Sequence, residues 1–190
     1  MQIRALAIAD VYEILPKKFG DERGFFSETY SDVAMKAAGL PTQWVQDNHS
    51  FSAAQGVLRG LHYQMEPRAQ DKLVRVVKGR IFDVAVDIRA GSPTFGNWVS
   101  LEVSAEKWNQ MFVPWGFAHG FVTLEPNTEV VYKVTNGYAP ELDRCIRWDD
   151  PSIGVDWPLN GEAPQLSAKD AAADFLSEQQ TGFTFKGSPN

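Results

Sequence analysis

Apolar and polar residues alternate in short runs along most of this chain, and the runs are cut by Gly, Pro or Asn. Phe82, Val84, Val86 and Ile88 fall on one side of an extended segment while Asp83, Ala85 and Asp87 fall on the other, the period of two that marks a strand. Residues 73–77 form a similar run just before it, with Lys78-Gly79 as the turn between them. Further strands are expected at 98–103, 109–113, 119–124 and 129–135, and residues 1–10 also read as a strand. Two helices are expected outside this core, one at 31–38 closed by Gly39 and one starting after Ser167. The spacing predicts an all-β sandwich or barrel, a meander folded on itself, and not alternating β/α units.

Length and charge narrow the class. A chain of 190 residues fits one ordinary domain. Eighteen basic and twenty-four acidic side chains give a net charge of −6, so no general attraction to nucleic acid or anionic membrane is expected. Any anion site must be a local cluster. Cys145 is the one cysteine, which excludes an internal disulfide and a multi-thiolate metal site and points to a reducing, cytoplasmic setting. No run approaches the roughly 20 apolar residues that span a bilayer. Trp148, Trp157 and Phe183 predict a C-terminal tail packed back on the body, and 186–190 reads as a frayed end.

Several residues are of the kinds that carry chemistry. Arg59 and His62 lie three apart on an otherwise apolar strand. On a regular strand they would face opposite sides, so a shared site needs a bulge or twist, which Gly60 permits. The alternative for His62 is a satisfied core or edge histidine. Lys72 shares a strand face with Val74 and Val76, where an ammonium requires a partner or a route to water. Asp83, among apolar neighbours on the next strand, is a candidate for that partner. Tyr132 shares a face with Val130 and Val134, so its ring points inward, and by itself it reads as core with a bonded hydroxyl. Residues 113–121 contain a proline-glycine turn followed by His119, a pattern that recurs in cupin barrels. With three histidines in all, and His49 in a separate polar segment, the chain lacks the usual imidazole set of metal-binding cupins. Ser167-Ala168-Lys169-Asp170 reads as a capping box, and the Asp170 carboxylate is also placed to reach a histidine and raise its basicity.

Together these segments resemble the dTDP-4-dehydrorhamnose 3,5-epimerase family from about residue 11 to 170. The resemblance runs through Asp21-Glu22-Arg23-Gly24-Phe25-Phe26-Ser27-Glu28, Gln46-Asp47-Asn48-His49-Ser50, 57–64, Gln70-Asp71-Lys72-Leu73-Val74, 83–87, 114–121, Tyr132-Lys133 and 166–170. It implies a mainly β, cupin-type double-stranded β-helix (jelly roll) with short peripheral helices, one domain over 1–190 with N-terminal strands and a C-terminal helical tail packed on the barrel. It further implies a homodimer without metal or other cofactor, acting on a dTDP-sugar in the cytoplasm, with no nucleic-acid or membrane partner. On this resemblance His62 is the base that removes protons at C3 and C5 of dTDP-4-dehydro-6-deoxy-D-glucose. Asp170 is its partner, Tyr132 the acid on the opposite face, and Lys72 the cation beside the enolate oxygen. Asp83 belongs to the same polar cluster. Arg23, Phe26, Glu28, Gln46, Asn48, Arg59, His119 and Lys169 hold the nucleotide sugar, and Tyr138 stacks on thymine. Asp143 stands where the family usually carries Glu, one methylene shorter at a nucleotide contact.

The chemistry wants these side-chain types. Histidine titrates near neutrality and so can accept a carbon proton, a preorganised cation stabilises the developing enolate, and a neutral phenol can return a proton. A single-site epimerase or ketoisomerase on a related dTDP-4-keto-6-deoxyhexose is the nearest alternative. A metal-dependent cupin oxygenase and a non-catalytic nucleotide-sugar binder are the more distant ones.

Overall fold

The computed structural model describes residues 1–187; the last three residues of the expected frayed end, Ser188, Pro189 and Asn190, lie outside it. The period-two runs from residue 73 onward become strands within a residue or two of their expected bounds, whereas of the strand expected over residues 1–10 only Gln2–Ala5 forms. The strands are β1 (Gln2–Ala5), β2 (Tyr12–Leu15), β3 (Lys18–Asp21), β4 (Gly24–Ser27), β5 (Gln46–Ser52), β6 (Leu58–Gln64), β7 (Lys72–Lys78), β8 (Arg80–Asp87), β9 (Trp98–Ser104), β10 (Gln110–Val113), β11 (Phe117–Thr123), β12 (Thr128–Val134) and β13 (Asp143–Cys145). Helix α1 (Asp32–Ala37) is capped by Ser31, and α2 (Ala168–Ala171) is a single turn capped by Ser167.

These strands do not build the expected cupin jelly roll. Six pair in the order β1-β2-β10-β7-β12-β5 and five in the order β13-β6-β11-β8-β9, while β3 and β4 form a separate hairpin. All these pairings are antiparallel, and the two larger sheets stay separate ladders that are not closed into a barrel. The expected meander is also corrected. Only Gly79 separates β7 from β8, yet the two strands belong to different sheets. Gly79 adopts φ +77°, and a Cβ there would sit 2.4 Å from Thr128 Oγ1. The chain therefore turns sharply out of one sheet into the other at a residue only glycine suits. From β5 to β8, and again from β10 to β13, successive strands alternate between the sheets.

The packing follows from this alternation. Val74, Val76 and Val130 of the six-stranded sheet face Ile81, Ala85, Val99, Phe117 and Phe121 of the five-stranded sheet in one buried cluster. The other face of the five-stranded sheet, with Val84, Val86 and Ile88, is covered by Ile146, Ile153, Trp157, Leu176 and Phe183. The C-terminal tail thus packs back as expected. On the outer face of the six-stranded sheet, Met35 of α1 joins Ile14, Leu73 and Phe112. Strand β8 is consequently buried on both sides. Among the described residues no helix is long and apolar enough to cross a membrane.

Candidate active site

A cavity of about 420 Å³ opens between the two large sheets, and it is lined by His62, Lys72, His119, Tyr132 and Asp170 among others. How the imidazole comes to share it with Arg59 is decided in β6. His119 of β11 pairs with His62, and Phe121 pairs with Arg59, so three steps along β6 match two along β11. That extra residue is the bulge the sequence required. It falls at Gly60, whose φ is +136° and where an added Cβ would lie 2.5 Å from Gly120 Cα. The close crossing of two glycine backbones turns Arg59 and His62 toward one space, and both line the cavity.

His62 Nε2 lies 2.5 Å from Asp170 Oδ1. The carboxylate is held from the other side by Ser167, whose Oγ donates to Asp170 Oδ2 at 2.9 Å and accepts the Asp170 backbone N–H at 3.1 Å. Capping and pairing with a histidine, which the sequence left as alternatives, are thus both present. Burial alone would raise the Asp170 carboxyl, but the hydrogen bond and charge of His62 outweigh it and hold the group below the ordinary value. The carboxylate is ionised at neutral pH.

Lys72 rises from β7 on the opposite sheet, is almost fully buried, and donates from Nζ to the His62 carbonyl at 3.2 Å. Its partner is that carbonyl and not Asp83. Burial lowers the ammonium pKa to about 8, against the upward pull of Asp143 and Asp83. Asp83 is fully buried and pairs instead with His119, Oδ1 to Nε2 at 2.7 Å, while its Oδ2 has no hydrogen-bond partner among the described residues. Desolvation keeps the His119 imidazole below its usual pKa despite the Asp83 charge. Tyr132 comes from β12, so its ring enters from the sheet facing His62. Burial pushes the phenol pKa up, more than nearby Arg59 lowers it, which leaves a protonated hydroxyl at neutral pH.

The outer part of the cavity is polar. Gln46 Nε2 donates to Asn48 Oδ1 at 2.8 Å, and Gln46 Oε1 accepts the Tyr138 backbone N–H at 3.0 Å. Asp143 Oδ2 accepts from the Tyr138 hydroxyl at 3.1 Å and from Lys169 Nζ. Arg59 is steadied by Ser52 Oγ and the Phe51 carbonyl.

Of the residues expected at the site, Gln46, Asn48, Arg59, His62, Lys72, His119, Tyr132, Tyr138, Asp143, Lys169 and Asp170 line this one cavity. Asp83 stands behind His119 without lining it. Arg23, Phe26 and Glu28 do not line it. Arg23 lies between the hairpin strands, bound to Asp21, and Phe26 is 71% exposed on β4. Ser50, Tyr63, Gln64, Gln70 and Phe121 line the cavity without being expected at the site, and Ser167, expected only as a helix cap, lines it too. Cys145 was missed as well: its thiol donates to Asp170 Oδ1 at 3.5 Å. Among the described residues His62, Cys145 and Asp170 form the one group spaced to hold a metal ion.

The arrangement can therefore take up a proton at an imidazole, hold negative charge beside a buried ammonium, and give a proton from a phenol on the other side. The family model for dTDP-4-dehydrorhamnose 3,5-epimerase matches residues 5–178. This chain belongs to the dTDP-4-dehydrorhamnose 3,5-epimerase family. A member from Pseudomonas aeruginosa is 56% identical over 171 residues, covering 90% of this chain and 93% of that protein. A Legionella pneumophila 3,5-epimerase in complex with dTDP-4-keto-L-rhamnose superposes with a TM-score of 0.92 at 46% identity, covering 98% of this chain and 99% of that one. A 3'-monoepimerase from Streptomyces bikiniensis in complex with dTDP-quinovose is more distant, with a TM-score of 0.85 at 33% identity over 91% of this chain and 87% of that one.

Proposed function

We infer that this enzyme epimerises dTDP-4-dehydro-6-deoxy-D-glucose at C3 and C5 to give dTDP-4-dehydro-L-rhamnose. The observation that carries the reading is the shared cavity: His62, paired with Asp170 of α2, enters from one sheet and Tyr132 from the other, with the buried Lys72 ammonium against the His62 carbonyl. In this mechanism the His62 ring nitrogen not bonded to Asp170 takes the proton from carbon. Asp170 stabilises the imidazolium that results. The electron pair moves onto the C4 oxygen, where the Lys72 cation in a dry site favours the enolate. Tyr132 returns a proton to the opposite face and recovers its own from solvent, to which the His62 imidazolium releases the proton it took. Asp83 keeps His119 oriented beside the sugar. Arg59 meets the diphosphate with its paired donors, Gln46, Asn48 and Lys169 hold the nucleotide, and Tyr138 stacks on thymine. Asp143 acts on the nucleotide through Tyr138 and Lys169, to which it is already bonded.

The chain works as one domain and as a homodimer in this reading. The support is the β3–β4 hairpin, which stands apart from both sheets and exposes Phe19, Phe25 and Phe26 beside Arg23. Such a surface belongs against protein, and a second copy would let Arg23, Phe26 and Glu28 serve a nucleotide that their own cavity leaves out of reach. A cytosolic location fits a chain whose single cysteine is a free thiol.

The test is incubation with substrate in heavy water. Deuterium at both C3 and C5 is expected. Deuterium at C3 alone would assign the single-site activity of the monoepimerase relative, and none at either carbon would leave only a binding protein.

A further inference from the structure

We infer that His62, Cys145 and Asp170 form a binding site for one divalent cation of zinc's chemical class, and that the cation shuts the enzyme off. The ligand atoms are already gathered. One nitrogen of His62, the sulfur of Cys145 and one carboxylate oxygen of Asp170 all lie within 4.8 Å of one another. They come from three separate segments: β13 pairs with β6 so that Cys145 sits opposite His62, and α2 brings Asp170 over both.

The fit can be judged from bond lengths. Zinc bonds of about 2.3 Å to sulfur and about 2.0–2.2 Å to nitrogen and oxygen place tetrahedral ligands roughly 3.3–3.7 Å apart. Cys145 Sγ and Asp170 Oδ1 are 3.5 Å apart, which already suits the ion. His62 Nε2 is closer, 2.5 Å from the same oxygen, so the ring must withdraw by roughly 1 Å. It has room, because His62 is about a third exposed on the cavity side. Outer partners are also in place, since Ser167 Oγ holds the second Asp170 oxygen and Gln179 Nε2 donates to the Cys145 carbonyl at 2.8 Å. Three protein ligands leave the fourth position to water.

The donor set matches the ion. Thiolate, imidazole and carboxylate together select zinc-class cations over magnesium or calcium, which prefer oxygen alone. The Asp170 carboxylate beside the thiol attracts a dication, whose own charge favours the thiolate as ligand. On binding, the thiol proton leaves to solvent and the proton on His62 Nε2 moves to the other ring nitrogen. The imidazole can then no longer accept a proton from carbon. Binding rests on this geometry alone, whereas the inhibition rests on His62 being the base.

Cobalt is the spectroscopic probe and zinc the inhibitor, both added to the intact, chelator-treated enzyme. We expect one cobalt per chain with a thiolate-to-cobalt charge-transfer band, and zinc inhibition that lowers kcat more than it raises KM and is reversed by chelator. Cys145→Ala should abolish the band and weaken zinc inhibition about tenfold or more. Cys145→Ser, closer in shape, should lose the band while circular dichroism reports an intact fold. His49→Ala, at a surface histidine paired with Glu129, should leave band and inhibition as in wild type. A wild-type spectrum without the band, or zinc inhibition unchanged in Cys145→Ala, overturns the site. A Cys145-dependent band with full turnover retained supports the site, overturns the inhibition, and counts against His62 as base.

Discussion

Lys72 is the residue whose two obligations pull furthest apart. Its ammonium is buried with a carbonyl for a partner, and its pKa falls to about 8. Because the folded value lies below the unfolded one, the native state binds fewer protons than the unfolded chain between about pH 8 and 10.4, so this group makes stability rise with pH there. Below that window it opposes folding. Lys72→Met should therefore raise stability at pH 7, by at most on the order of 3 kcal/mol, read as a higher Tm. The same change should cut turnover by about 100-fold or more, since the enolate loses its cation. Activity of the wild type should also decline above about pH 8 as the ammonium deprotonates. Asp170 has the opposite sign. Its carboxyl is held below the ordinary value, so its contribution is complete above about pH 4 and is lost as pH falls through the lowered folded value. Urea unfolding between about pH 5 and 2 should show wild type losing more stability than Asp170→Asn. His62→Ala should abolish deuterium exchange at C3 and C5 while dTDP affinity, measured by calorimetry, changes little. Retained exchange would remove His62 from the base role.

Among the elements, β6 decides whether there is a site. Its bulge turns Arg59 and His62 to the same space, and the bulge needs a glycine at φ +136° against the Gly120 backbone. Gly60→Ala combines a strained backbone with a Cβ only 2.5 Å from the Gly120 backbone, a clash that no flexible side chain can relieve. A loss of about 3 kcal/mol or more in stability is expected, with turnover falling beyond what the unfolded fraction explains. Thermal unfolding and kcat measured well below the Tm separate the two effects. The sequence pointed to this bulge because an arginine and a histidine three apart on an apolar strand make little sense without one. The Cys145 contact was not legible in the same way. Strand β13 is only three residues long and carries no period of its own, so its register against β6 exists only in the folded sheet.

At the scale of the whole molecule the exposed β3–β4 hairpin is the feature that a lone chain does not account for. Sedimentation at micromolar concentration should give twice the chain mass. Phe26→Asp should shift the enzyme toward monomer, and Arg23→Ala should raise KM with a smaller change in kcat. A wild type that sediments as a monomer at full activity would refute both expectations together.

The period of two in the sequence determined which residues form strands and which faces are buried, because alternation is a local property of the extended chain. Side-chain type determined which residues carry chemistry, since an ammonium or imidazole among valines is costly unless it is used or paired. The tertiary structure alone decided which strands pair. A strand edge offers the same amides and carbonyls to any partner, so successive strands that read as a meander in a barrel could separate into two open sheets. It also decided that Asp83 belongs to His119 and that Lys72 belongs to a carbonyl, because a buried charge takes the partner that packing brings within reach.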